Sequence, residues 1–154
     1  MDIQPYIGIN GLLFGMNMTQ VRSIAGQPPH IDYFIPVQSN PEERDVIWSY
    51  ENGLELSFSS DDDFLLTTFT SSSRIIKLEN KLIVGRTITE LQTDFPQLIL
   101  EEDFSETGQN YELTHLGVSF WAVDDVVCNV LFFPKYTRDG QSIIWPKELN
   151  SYGT

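Results

Sequence analysis

Met18, Val21 and Ile24-Ala25 recur at the three-to-four-residue spacing of an amphipathic helix, so the pattern predicts a short helix over about 18–25. Asn17 or Thr19 can accept from its first free N–H groups, and Gly26 with Pro28-Pro29 stops it. Residues 31–37 read as a strand followed by an exposed loop ending in Glu42-Glu43-Arg44-Asp45. From Val46 to Thr70 the period changes to two, the signature of half-buried strands. Asn52-Gly53 is a strong hairpin signal, because both residues tolerate the positive φ of a two-residue type I′ turn. That turn sets Ser49 opposite Leu56 and Ile47 opposite Phe58. It would put Leu54, Leu56, Phe58 and Ile47 on one face, and Trp48, Tyr50, Glu55 and Ser57 on the other.

The same order of elements then returns. Leu13-Phe14-Gly15-Met16-Asn17-Met18-Thr19-Gln20-Val21 reappears, seventy residues on (85 − 15), as Ile83-Val84-Gly85-Arg86-Thr87-Ile88-Thr89-Glu90-Leu91. Asn52-Gly53-Leu54-Glu55-Leu56-Ser57-Phe58 is echoed by Leu116-Gly117-Val118-Ser119-Phe120-Trp121-Ala122. Thr87 or Thr89 caps a helix at about 88–95 that Pro96 stops. Strands follow at about 110–115, 118–123 and 126–133, with a turn at Asp124-Asp125. Alternation from Val118 and Phe120 sends Ser119 and Trp121 outward, with Glu112 and Thr114 beside them.

The fold class expected is therefore α+β: two similar units, each a short helix packed on an antiparallel β-sheet meander. The units cover residues 11–70 and 82–133 of a single globular body, 1–154, joined near Ser71-Ser72-Ser73. Residues 134–154 form a C-terminal extension that packs along the body.

Composition adds a packed core and a sign. Of 154 residues, 41% are hydrophobic, with 10 Phe, 6 Tyr and 3 Trp. The net charge is −13 and is spread evenly, with 4 basic and 10 acidic residues in 1–77 against 5 and 12 in 78–154. Such a field repels nucleic acid and anionic membrane, and favours a basic protein partner or simply solubility. Cys128, the single cysteine, lies in an apolar run and reads as a small buried hydrophobe. With no secretory signal pattern and no stretch of ~20 apolar residues, a cytoplasmic location is expected.

Chemistry-bearing constellations are sparse. His30 and His115 have no ligand-spaced His or Cys, so no metal or cofactor is expected. Asp61-Asp62-Asp63 and Glu101-Glu102-Asp103 lack the spacing of a calcium loop and read as solvated turns. No serine sits in a G-x-S-x-G elbow, and no glycine-rich phosphate loop forms.

Gly11-Leu12-Leu13-Phe14-Gly15-Met16, Val21 and Gly26-Gln27-Pro28 resemble the opening of β-lactamase-inhibitory-protein-like and outer-membrane-assembly-lipoprotein-like folds. The resemblance implies helices on an antiparallel sheet. In the inhibitory proteins it implies a tandem unit that binds an enzyme through a concave, aromatic-rich sheet. The second copy departs in having Arg86 for Met16, and Phe95-Pro96 for Gly26-Gln27-Pro28. With one cysteine the chain also departs from the disulfide-bonded inhibitory proteins, so the resemblance carries the fold and not β-lactamase as target.

The functional expectation is a non-enzymatic protein-binding module, an inhibitor or toxin-immunity protein binding a basic partner through an acidic, aromatic sheet face. The residues expected to carry binding are Trp48, Tyr50, Glu55, Glu112 and Trp121. The alternative is an enzyme or small-ligand protein with a pocket between the halves, around Tyr111 and His115.

Overall fold

The computed structural model describes residues 1–35 and 42–151. Three short strands open the chain, β1 (Asp2–Gln4), β2 (Gly8–Ile9) and β3 (Leu12–Leu13), and helix α1 (Met18–Ala25) follows. Next come β4 (His30–Phe34), β5 (Asp45–Ser49), β6 (Leu54–Ser59) and β7 (Leu65–Ser71). The second half repeats this with β8 (Lys77–Leu78), β9 (Lys81–Leu82) and α2 (Ile88–Asp94). It continues with β10 (Ile99–Asp103), β11 (Gln109–Leu113), β12 (Val118–Val123) and β13 (Val126–Phe132). A small hairpin of β14 (Lys135–Tyr136) and β15 (Ile143–Ile144) follows, and a 3-10 helical turn over Lys147–Ser151 ends the described chain. Positions 36–37 of the strand expected at 31–37, and 152–154 of the C-terminal extension, lie outside the described residues.

Both helices start with a capping box. Asn17 Oδ1 accepts from the Gln20 N–H at 2.8 Å while Gln20 Oε1 accepts from the Asn17 N–H. Thr87 and Glu90 repeat the exchange. Each box satisfies N–H groups that a helix start otherwise leaves orphaned.

The α+β expectation is overturned: the chain is mainly β. Strands β10-β11-β12-β13-β7-β6-β5-β4 form one eight-stranded sheet running through both halves, and β3-β2-β1-β8-β9 form a second sheet. The physical reason is at the seam. The two meanders do not end in free edges; β13 pairs antiparallel with β7 through Val130↔Ser71, Leu131↔Thr70 and Phe132↔Phe69. Phe69 and Phe132 stack there with centroids 4.7 Å apart, and Phe14 meets both edge-on. Helices of eight and seven residues are also too small to cover such a sheet. Ile3, Ile9, Leu12 and Leu78 of the smaller sheet join Val21, Ile88 and Leu91 of the helices in the one core.

The hairpin register differs as well. Tyr50 N–H donates to the Leu54 carbonyl and Gly53 N–H to the Tyr50 carbonyl, leaving a three-residue loop, Glu51-Asn52-Gly53. Gly53 has φ 83°, whereas Asn52 is not among the positive-φ residues. This is the three-residue hairpin loop with glycine in the left-handed position, not a type I′ turn. One extra loop residue slips the pairing to Trp48↔Leu56 and Val46↔Phe58, and a one-residue slip exchanges the faces of the strand. Type I′ geometry occurs instead at Asn10-Gly11, Glu79-Asn80 and Asp124-Asp125, each with two consecutive positive φ angles.

Candidate functional site

The register decides which side chains share a surface. One cross-strand row is Leu113, Val118, Phe132, Phe69, Leu56, Trp48 and Ile31, and all but the half-buried Ile31 are buried. Trp48 thus belongs to the core: it is 2% exposed, and its ring lies 5.0 Å from that of Phe58. The expectation that Trp48 lies on the outer face is corrected. Tyr50 is half-buried at the end of β5, where its hydroxyl donates to the Gly26 carbonyl at 2.9 Å. It ties the strand to the end of α1 rather than projecting outward.

The opposite face carries the other three. Ile99, Glu112, Ser119, Leu131, Thr70, Glu55, Ser49 and His30 form one row across all eight strands. Trp121 lies two residues along from Ser119, flanked by Asn110 and Asn129. Its ring is half-buried and meets the exposed Phe104 ring at 5.8 Å. Glu55 is exposed and accepts from Ser49 Oγ at 3.3 Å. Burial, then the adjoining Glu101 carboxyl, push the Glu112 carboxyl above the ordinary carboxylate range. Asn129 was not foreseen. Its Oδ1 is buried beside Trp121 with no hydrogen-bond partner among the described residues, and buried acceptors are rarely left so.

Three further expectations meet the structure differently. Cys128 is exposed rather than buried, because β13 bulges there: Trp121 pairs with Asn129 and Ala122 with Val127, leaving Cys128 as the extra residue. Tyr111 lines an acidic pocket with Asp103, Glu106, Asp124 and Asp125, and His115 is not among its lining residues. His30, just outside the strand expected at 31–37, is in β4 and contacts Asp32 Oδ2 at 3.0 Å, with both side chains largely exposed. Among the described residues, no group of three or more His, Cys, Asp or Glu is arranged to hold a metal ion.

On the helix side, a groove of about 400 Å³ lies between α1 and the β4–β5 edge of the sheet. Ile31 and Tyr33 of β4 and Val46 and Trp48 of β5 floor it; Met18 and Arg22 of α1 form one wall. Arg44 and Phe64 close it. It lies within the first half, not between the halves.

No family model matches the chain, and no curated protein matches it. Among solved structures it is similar to the uncharacterized protein yfeY from Escherichia coli, with a TM-score of 0.54 and 7% identity. That match covers 83% of this chain and 97% of that one. It is also similar to an extracellular protein containing an SCP domain from Bacillus anthracis, with a TM-score of 0.46, 10% identity and 86% and 49% of the respective chains covered. No described helix is long and apolar enough to cross a membrane. The similarity to the Escherichia coli structure is one of fold, over nearly the whole of that chain.

Proposed function

We propose that the chain is a non-enzymatic, cytoplasmic protein-binding module of the inhibitor or immunity type, whose docking surface is the sheet face opposite the helices. The observation that carries this reading is the half-buried Trp121 ring on a sheet face that also presents Glu55 and Glu112. A basic surface is the fitting complement, because these carboxylates and the net charge of −13 attract cations and speed encounter. Trp121 supplies the large, partly apolar ring common at binding hot spots. The motif's resemblance to the inhibitory proteins points the same way.

The test is affinity capture from a lysate of the source organism at low and moderate salt. The wild type is compared with Trp121→Ala and the double variant Glu55→Lys/Glu112→Lys. Retention of a basic protein that both lose, while their circular dichroism stays that of the wild type, supports the reading. Capture that is indifferent to both variants overturns it.

A further inference from the structure

We infer that the groove between α1 and the β4–β5 edge is a binding site for a small amphipathic carboxylate, an apolar chain or ring bearing one anionic head. Arg22 and Arg44 both line this groove. Like most of the nine Lys and Arg side chains, neither has a carboxylate within 4.0 Å among the described residues; only Lys81 and Arg86 do, both on Asp94, and Arg86 also on Glu90. What sets Arg22 and Arg44 apart is that they converge on one apolar groove.

Each is held there by aromatic packing and by the backbone. The Arg22 guanidinium lies 5.3 Å from the Trp48 ring centroid, and that of Arg44 5.6 Å from the Phe64 ring. A guanidinium stacked on a ring keeps its in-plane N–H donors available for a second partner. Arg44 is fixed further, because its N–H donates to Ser60 Oγ at 2.9 Å and its carbonyl accepts from the Ser60 N–H at 2.9 Å. Between the two cations the surface is apolar: Met18, Ile31, Val46, Trp48 and the largely exposed Tyr33. Apolar walls with a few convergent donors are the usual make-up of a small-ligand site, and the volume lies within the usual range of ~300–1,000 Å³. The second half does not repeat the device. The position seventy residues after Arg22 is Gln92, and the pocket beside β10 and β11 is lined by carboxylates. The arginine pair is therefore a property of this groove and not of the repeated motif.

The test uses the full chain and dodecanoate as the probe, kept below its micellar concentration, with 1-dodecanol as the neutral analogue. Titration calorimetry and tryptophan fluorescence follow binding. Saturable binding of one dodecanoate per chain is expected, at least tenfold tighter than dodecanol. Arg22→Gln and Arg44→Gln should each weaken dodecanoate at least fivefold, while Arg138→Gln, with the same change of net charge outside the groove, leaves it unchanged. Both groove arginines are exposed, and two separate variants guard against one failing to fold. Absence of saturable binding up to millimolar dodecanoate overturns the inference. So does dodecanol binding equally well, both groove variants staying within twofold of wild type, or Arg138→Gln weakening binding as much as they do. The variant Glu55→Lys/Glu112→Lys should bind dodecanoate like the wild type, which separates this result from that for the sheet face.

Discussion

Trp48 and Trp121 are both indoles on alternating strands, yet they sit in opposite environments. Trp48 is packed against Phe58 beneath the Arg22 guanidinium and is 2% exposed. Trp48→Ala should therefore cost ~3–5 kcal/mol, read as a lower midpoint in urea unfolding. Trp121→Ala gives up a half-exposed ring contact with Phe104 and should cost ~1 kcal/mol. Similar losses for the two would contradict this placement. Arg86 shows how one position of the repeated motif changed its work. Met16 is fully buried in the first copy, whereas Arg86 donates to the Leu82 carbonyl and to Asp94 Oδ2 in the second. The Arg86 hydrogen bond, then its charge, hold the Asp94 carboxyl below its ordinary range. A carboxylate depressed in the folded state stabilises above its unfolded pKa of ~3.9, and that contribution is lost as pH falls through the folded value. Asp94→Asn should thus be less stable than wild type at neutral pH, with the gap closing in strong acid. Parallel thermal melts from pH 7 to pH 2 check this.

At the scale of elements, turn and cap chemistry is local and can be tested locally. Asn17→Ala and Thr87→Ala each remove a helix cap and should each cost ~1 kcal/mol. Because the helices are short, the loss should show as faster amide exchange within α1 and α2, respectively. Gly53 lies at φ 83° with its nearest neighbours 3.4 Å from a would-be Cβ, so an added methyl is tolerable in space but not in conformation. Gly53→Ala should cost ~1–2 kcal/mol from left-handed strain alone, while Gly53→Asn should cost less. Equal losses for the two would show that crowding against Ser73, not φ, is what matters. The exposed edge strand β10, with Ile99 and Leu100 about half exposed, shows the same economy from the other side. Glu101, Glu102 and Asp103 on that short strand disfavour its pairing with another chain.

For the whole molecule, the β7–β13 seam is the decisive contact. Three residue pairs and the Phe14, Phe69 and Phe132 cluster join the halves into one sheet over one core. Phe132→Ala should cost ~3–5 kcal/mol, and the wild type should unfold in a single transition. Coincident loss of far-ultraviolet ellipticity and tryptophan fluorescence checks the second point. Two separated transitions would mean that the halves are stable apart. The same seam puts Glu112 and Glu55 on one face of one sheet, because Leu131 and Thr70 connect Ser119 and Glu112 on one side with Glu55 and Ser49 on the other.

What the amino-acid sequence determined by itself is what depends on neighbours in the chain. The spacing of Met18, Val21 and Ile24, the caps at Asn17 and Thr87, and Pro96 after α2 placed both helices. Alternation placed β11, β12 and β13, and with them Glu112 and Trp121 on one face of the sheet. What tertiary structure decided is what depends on partners far along the chain. Asn52-Gly53 permits both a two-residue and a three-residue loop, and packing chose the one that buries Trp48 beside Leu56 and Phe58. The bulge that exposes Cys128 and strands the Asn129 acceptor exists only because β12 and β13 meet in that register. Arg22 and Arg44 are twenty-two positions apart (44 − 22) and carry no joint pattern in the sequence. They become a pair because α1, β5 and the Phe64 turn close around one groove. Local preference is a matter of about 1 kcal/mol per residue, whereas burying an indole involves several times that, so the core overruled the turn.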